Sequence, residues 1–169
     1  LGTQYNIMEY IAIASTGNAT DFGDLSSVRA ASGGVSTDTR ACIGGGVTAG
    51  SYINNIEYIT MATTGNTTDF GDLTVTRKIL TGLSSQTRGC FGGGENGGNS
   101  NVIDYITIAT TGNATNIGSV RVDLTEPGYG TSDGSRGIVG SGWQKLSIEY
   151  FTIATGTTTL DFGDVTLFR

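Results

Sequence analysis

An internal repeat limits the folds open to this chain more than any other feature of the sequence. Three segments align without gaps: MEYIAIASTGNATDFGDL at 8–25, IEYITMATTGNTTDFGDL at 56–73 and IDYITIATTGNATNIGSV at 103–120. A fourth copy, IEYFTIATGTTTLDFGDV, occupies 148–165. Repeats of 20–50 residues are typical of solenoids, propellers and other arrays, in which each unit buries its apolar surface against its neighbours.

A second block recurs between the copies of the first, and the arginines cluster around both. It reads TRACIGGG from 39, TRGCFGGG from 87 and SRGIVGSG from 135, a constant step of 48 residues. We assign all seven arginines to two repeat positions, one after the DFGD block (Arg29, Arg77, Arg121, Arg169) and one at the start of the glycine block (Arg40, Arg88, Arg136). Such regularity predicts a structural role, with the guanidinium groups held by acidic or carbonyl partners.

Each repeat is predicted to form four short strands and no helix. Apolar residues do not recur at helical spacing, and the Gly and Thr content disfavours helix, whereas Thr, Ile, Val, Tyr and Phe favour strands. After Arg29 the predicted strands are 30–35, 40–45, 55–62 and 69–74. The third strand is apolar on both faces, which is expected where sheets pack on both sides.

Four antiparallel strands in about 48 residues describe a blade of a β-propeller. The order of motifs resembles the kelch repeat: Arg77, then the apolar strand ending in Gly92 and Gly93, then the strand of Tyr105, then the DFGD block. The kelch Trp that follows the Tyr strand is missing here. Aromatic or apolar residues stand near its place in the four copies: Phe22, Phe70, Ile117 and Phe162.

The wording of the copies is also similar to kelch-like repeat proteins encoded by marine bacteriophages. This resemblance covers nearly the whole chain and implies an all-β, kelch-like propeller with a virion or host-contact role. The expected single repeat domain, 1–169, contains a half blade at 1–29 and blades at 30–77, 78–121 and 122–169, about 14 strands in total. The expected partners are other copies of the chain or the remainder of a longer propeller chain. The alternative to a propeller is an open stack of β units.

Composition excludes several functions. The chain has no His, which excludes His metal sites and Ser–His or Cys–His nucleophile pairs, so no metal, cofactor or enzymatic activity is expected. Nine Lys and Arg against 15 Asp and Glu give a net charge of −6, which argues against nucleic acid or an anionic membrane as partner. No apolar run approaches the roughly 18 residues of a membrane span, so membrane insertion is not expected.

Three groups of residues could carry chemistry. Cys42 and Cys90 share a repeat position that Ile138 fills in the third copy, which indicates buried thiols. The DFGD carboxylates, including Asp24, Asp72 and Asp164, could bind Ca²⁺, but turn hydrogen bonding and pairing with the repeat arginines is the favoured interpretation. The N-x-Thr sequons of the third-to-fourth-strand turn are explained by turn chemistry; they begin at Asn18, Asn66 and Asn113.

The loops between the second and third strands differ most among the copies and are the predicted ligand surface. Aromatic and amide side chains on such loops suit contact with a sugar or a protein. The candidates are Tyr52, Asn54, Asn55, Asn96, Asn99, Asn101, Trp143 and Lys145.

The function expected from these features is adhesion or assembly without catalysis, as part of a phage-type virion or surface component that meets a receptor, a glycan or a neighbouring protein. The expected location is therefore a virion or an extracellular surface. Two alternatives stay open: an intracellular, cytoplasmic kelch-type module that binds proteins, and a carbohydrate-active propeller enzyme, which the lack of His disfavours.

Overall fold

The computed structural model describes residues 5–121, 129–140 and 146–166 and is all-β; no helix occurs within these ranges, as the sequence predicts. Three antiparallel sheets of four strands follow one another along the chain. The first contains β3 (Gly33–Ser36), β4 (Arg40–Gly44), β7 (Asn55–Thr60) and β8 (Thr68–Asp72). The second contains β9 (Thr81–Ser84), β10 (Arg88–Gly92), β11 (Val102–Thr107) and β12 (Thr115–Ser119). The third contains β13 (Tyr129–Ser132), β14 (Arg136–Gly140), β15 (Ser147–Thr152) and β16 (Leu160–Asp164).

Two smaller elements complete the described strands. An N-terminal hairpin pairs β1 (Tyr5–Tyr10) with β2 (Thr20–Arg29), and a short hairpin pairs β5 (Val47–Thr48) with β6 (Ser51–Tyr52). The four strands predicted for each repeat are present in all three sheets. The β5–β6 hairpin was not predicted, and it accounts for the difference between 14 expected strands and the 16 described ones.

The apolar core lies between neighbouring sheets rather than inside any one of them. One cluster joins the first and second sheets and includes Val35, Phe91 and Ile108, each at most 5% exposed. A second cluster joins the second and third sheets and includes Leu83 and Ile153. Each sheet therefore depends on its neighbours for burial, as expected of a repeat array.

The first strands of consecutive sheets approach one another unusually closely. A Cβ atom added to Gly82 on β9 would lie 1.8 Å from the carbonyl oxygen of Gly34 on β3. Only glycine fits this contact, so the glycines of these strands set the distance between sheets. A closed ring of sheets is not present in the described ranges, and no helix described there is long and apolar enough to span a membrane.

Candidate functional site

The most regular feature of the structure is a repeated set of contacts between consecutive sheets, here called the inter-sheet joint. The first joint connects the N-terminal hairpin to the first sheet, the second joint connects the first and second sheets, and the third joint connects the second and third sheets. Each joint places the turn before a sheet's last strand on the last strand of the preceding element.

Three hydrogen bonds with backbone N–H donors connect the two elements of the first joint. Gly65 N donates to the carbonyl of Phe22 at 2.7 Å, and Thr67 N donates to the carbonyl of Asp24 at 2.9 Å. Asp24 N donates to Oδ1 of Asn66 at 3.0 Å. The sequon asparagine is thus a link between two sheets, a role that its sequence context did not reveal.

The second joint repeats these bonds with almost identical distances. Gly112 N donates to the carbonyl of Phe70 at 2.7 Å, and Ala114 N donates to that of Asp72 at 2.8 Å. Asp72 N donates to Oδ1 of Asn113 at 3.0 Å. Preservation of three bonds in two copies shows that the joint is a property of the repeat.

A buried ion pair forms the side-chain part of the first two joints. Arg29 Nη2 lies 2.5 Å from Oε1 of Glu57, and Arg77 Nη1 lies 3.0 Å from Oδ2 of Asp104. Arg77 also donates to the carbonyl of Phe91 at 3.0 Å. All four charged side chains are at most 2% exposed, so each charge depends on its partner for compensation.

Glu57 has a dense set of donors. Burial disfavours its charged form, but hydrogen bonds from Ser26 and Thr67, together with the Arg29 guanidinium, outweigh that effect and hold the pKa of Glu57 below its ordinary value. Ser26 donates through both its hydroxyl and its backbone N–H, and Thr67 through its hydroxyl. Glu57 is therefore a buried carboxylate that accepts hydrogen bonds from both elements and links the N-terminal hairpin to the first sheet.

The arginine partners differ from those favoured by the sequence analysis. In both pairs the acid is the residue before the Tyr of the third strand, not a DFGD carboxylate. Asp24 and Asp72 enter the joints through their backbone groups, and Asp164 is exposed. Glu57 and Asp104 were not predicted as partners of the arginines. The acidic residue that precedes Tyr in all four copies indicates such a structural role.

Arg121 does not occupy the repeat position assigned to it from the sequence. Its backbone N–H donates to Oε2 of Glu149 at 2.9 Å, as Ser26 N does to Glu57 and Thr74 N to Asp104. Arg121 is thus the counterpart of Ser26 and Thr74, three residues before the place of Arg29 and Arg77. Its side chain is exposed. The residue-type match concealed this shift in register; Arg169 lies outside the described residues.

The arginines that open the glycine block share a different arrangement. Arg40, Arg88 and Arg136 stack on Tyr58, Tyr105 and Tyr150 of their own sheets, with 4.2, 4.3 and 4.8 Å from the guanidinium carbon to the ring centroid. Two of them also reach the next sheet. Arg40 Nη1 donates to the carbonyl of Ile108 at 2.8 Å, and Arg88 Nη1 to that of Ile153 at 3.2 Å.

The cysteines are buried, free thiols, as the sequence predicts. Cys42 and Cys90 are both 0% exposed. Burial raises the pKa of Cys42 to about 11 and that of Cys90 to about 12, and the nearby Arg40 and Arg88 only partly offset this. The thiols are therefore protonated at neutral pH and are poor nucleophiles.

Two of the three predicted ligand loops meet in one polar cluster, here called the loop surface, which consists of Tyr52, Lys78, Glu95, Asn96 and Asn99. The Tyr52 hydroxyl donates to Oε1 of Glu95 at 2.8 Å, and Lys78 Nζ lies 3.3 Å from Oε2 of Glu95 and 5.4 Å from the Tyr52 ring centroid. Asn96 and Asn99 are exposed beside it.

The hydrogen bond between Tyr52 and Glu95 perturbs both groups in opposite directions. It raises the pKa of Tyr52, which is the donor, and lowers that of Glu95, which is the acceptor. Lys78 and Glu95 were not predicted. They occupy the repeat positions of Ala30 and Val47, which form the same isolated backbone bridge.

The other predicted loop residues have separate roles. Asn55 accepts a bond from Arg29 at 2.7 Å and donates to Asp69 at 3.2 Å, and Asn54 donates to the carbonyl of Leu73 at 3.4 Å. Both asparagines are partly buried and use side-chain groups in contacts within the chain. Asn101 is exposed and its carbonyl accepts Val120 N. Trp143 and Lys145 lie outside the described residues.

No group of three or more Cys, Asp or Glu side chains within residues 5–121, 129–140 and 146–166 could hold a metal ion. Comparison of the chain with protein-family models and with curated proteins found no match. The arrangement of residues therefore supplies the basis for a functional proposal.

Proposed function

We propose that this chain is a non-enzymatic adhesion or assembly module built from kelch-like propeller blades, as found in structural components of phage-type virions or surfaces. The repeated inter-sheet joint carries this proposal. Backbone bonds join each element to the next, and buried ion pairs strengthen the joints of the N-terminal hairpin with the first sheet and of the first sheet with the second, which makes a rigid support for loops. Binding residues are commonly presented on loops that such a scaffold positions.

The loop surface is the part of the scaffold suited to a ligand. It combines an aromatic ring, a carboxylate, an ammonium group and two exposed amides, all near the boundary of the first and second sheets. Hydroxyl-rich ligands use such groups as hydrogen-bond partners, and the Tyr ring offers an apolar surface for a sugar ring. A glycan of a host surface is accordingly the ligand class proposed here.

A glycan array tests this function. Wild-type protein should bind a subset of glycans, and Tyr52→Ala should reduce that binding at least about ten-fold, the loss of about 1.4 kcal/mol. Tyr129→Ala is the matched control, since Tyr129 is 78% exposed and lies outside the loop surface. Equal binding by the two variants, or no glycan bound by wild type, would contradict glycan adhesion through this surface.

The alternative of an intracellular protein-interaction module rests on the same scaffold and differs in location. Copurification of the chain with phage particles would support the virion role. Recovery only in the soluble fraction of infected cells would support the alternative instead.

A further inference from the structure

The two ends of the described array present surfaces that match each other. Every joint has a turn from one element seated on the last strand of the element before it, and the N-terminal hairpin and the third sheet each retain one unmatched half. Repeats that bury surface only against neighbours leave such halves at both ends of an array.

The N-terminal half is the turn at 16–19 together with Ile13. Gly17, Asn18 and Ala19 are the counterparts of Gly65, Asn66 and Thr67, which make the backbone bonds of the first joint. All of residues 11–20 are exposed. Ile13 is 97% exposed. Its counterparts Ile108 and Ile153, which follow a four-stranded sheet, are 1% exposed, whereas Met61, which follows the two-stranded hairpin, is 48% exposed.

The C-terminal half is the last strand of the third sheet, at Asp161–Asp164. Phe162 is 53% exposed, whereas its counterparts Phe22 and Phe70, which a following turn covers, are 9% and 2% exposed. A Cβ atom on Gly71 would strike the next turn at 2.6 Å, whereas one on Gly163 would meet no atom within 4 Å. The seat for a turn is therefore formed and, within the described residues, empty.

Arg136 supplies a third point of contact. Arg40 and Arg88 each stack on a Tyr and donate to the carbonyl of an Ile in the next sheet. Arg136 has the same stacking on Tyr150, but in the described part of the chain its guanidinium donates to no carbonyl. The missing acceptor is the carbonyl at the repeat position of Ile13.

We propose that a second copy of this chain docks head-to-tail on the third sheet, placing its turn at 16–19 on Asp161–Asp164 and the carbonyl of its Ile13 on Arg136. The proposal rests on the proposed blade-like assembly and names its partner. Such an interface is heterologous, because different surfaces of the two copies meet. It continues the internal joints, which supply a template for each contact.

Complementary variants test the docking. Wild-type protein should have a mass above 17.4 kDa that rises with concentration in light scattering. Ile13→Asp and Phe162→Asp each damage one half, so each variant alone should be a monomer of 17.4 kDa. An equimolar mixture should form a dimer of about twice that mass, because one intact half remains on each variant.

Gln86→Glu adds the same charge in the exposed turn between β9 and β10 of the second sheet, outside both halves and outside the loop surface, and should associate like wild type. If either aspartate variant fails to fold, as judged by circular dichroism, Gly17→Gln and Arg136→Glu replace them at the same two halves. A wild-type monomer at all concentrations, or a mixture that stays monomeric, would overturn the docking. A monomer that binds glycans would contradict the docking and leave the proposed adhesion supported. A protein that associates but binds no glycan would support the docking and contradict glycan adhesion.

Discussion

The second and third joints make the same connection with different side chains. Both place a threonine or alanine N–H on the carbonyl of the preceding strand, at 2.8 Å in Ala114–Asp72 and 2.9 Å in Thr159–Ser119. In the second joint the buried acid Asp104 faces the buried Arg77. In the third joint the buried acid Glu149 receives only hydrogen bonds from the chain described, from Arg121 N and the hydroxyls of Thr159 and Ser147.

The difference between the second and third joints shows which groups position the sheets and which groups strengthen the contact between them. The close backbone approach survives the loss of the ion pair: a Cβ atom on Gly71 would lie 2.6 Å from the Gly112 carbonyl oxygen, and one on Gly118 would lie 2.1 Å from that of Thr157. The glycine and the turn therefore set the geometry, and the arginine adds a charge interaction to a contact already defined.

The largest expected effect is at the ion pair of the second joint. Arg77→Ala should lower the free energy of unfolding by about 3–5 kcal/mol, because Asp104 would be left buried without its cation. Arg121→Ala removes an exposed arginine side chain beside the third joint and is the control, which should alter the free energy of unfolding by less than about 0.5 kcal/mol. Urea unfolding measures both, and equal losses would show that the comparison is wrong.

A smaller effect is expected at the stacked arginines. Arg88→Lys should cost about 1–3 kcal/mol, because lysine lacks the planar group that stacks on Tyr105 while donating to the Ile153 carbonyl. In a dilute, monomeric sample Arg136→Lys removes the stacking on Tyr150 without loss of a carbonyl acceptor in the described chain, and it should cost less. Thermal melting curves of the two variants would count against this account if Arg136→Lys were the more damaging.

The first joint should weaken in acid. The pKa of Glu57 is lower in the folded chain than its ordinary 4.5, so the folded state binds fewer protons than the unfolded state. The stabilisation is complete above a pH of about 4.5 and is lost as the pH falls through the folded value. Glu57→Gln should flatten the fall of the melting temperature between about pH 5 and 3, whereas Glu9→Gln, at the exposed counterpart, should not. The same fall of the melting temperature with pH in wild type and in Glu57→Gln would contradict this prediction.

The smallest effect is expected at the turn asparagines. Asn113→Ala removes the acceptor of Asp72 N and should cost about 0.5–1.5 kcal/mol. Asn18→Ala removes the counterpart at the exposed N-terminal turn and should leave the unfolding of a dilute, monomeric sample unchanged. Similar losses in both would mean that the inter-sheet bond contributes nothing of its own.

Strand content and the four-strand unit could be predicted because they depend on local composition and on the repeat step. The Tyr58 strand has apolar residues on both faces and buries Ile56, and its counterpart in the second sheet buries Ile103 and Ile106. The short β5–β6 hairpin escaped prediction because two-residue strands carry no periodicity.

The contacts between sheets were predicted less well, because they join residues that are distant in sequence. Glu57 and Arg29 stand 28 residues apart, and nothing local identifies them as a pair. Arg121 was misplaced because its residue type suggested one register, whereas its backbone bond to Glu149 defines another. The residue types indicate which side chains could form ion pairs, but the partners follow only from the register of the repeats in the structure.

A double-mutant cycle between Arg77 and Asp104, with Arg77→Met and Asp104→Leu, tests the central claim that buried ion pairs strengthen the joints. We expect a coupling energy of about 1.5–3 kcal/mol, since the two side chains are in direct contact and are both 0% exposed. A control cycle of Arg121→Met and Glu149→Leu should give less than about 0.5 kcal/mol, because Arg121 contacts Glu149 through its backbone N–H and not through its side chain. Additive effects of the Arg77 and Asp104 changes, or equal coupling in the two cycles, would contradict the claim.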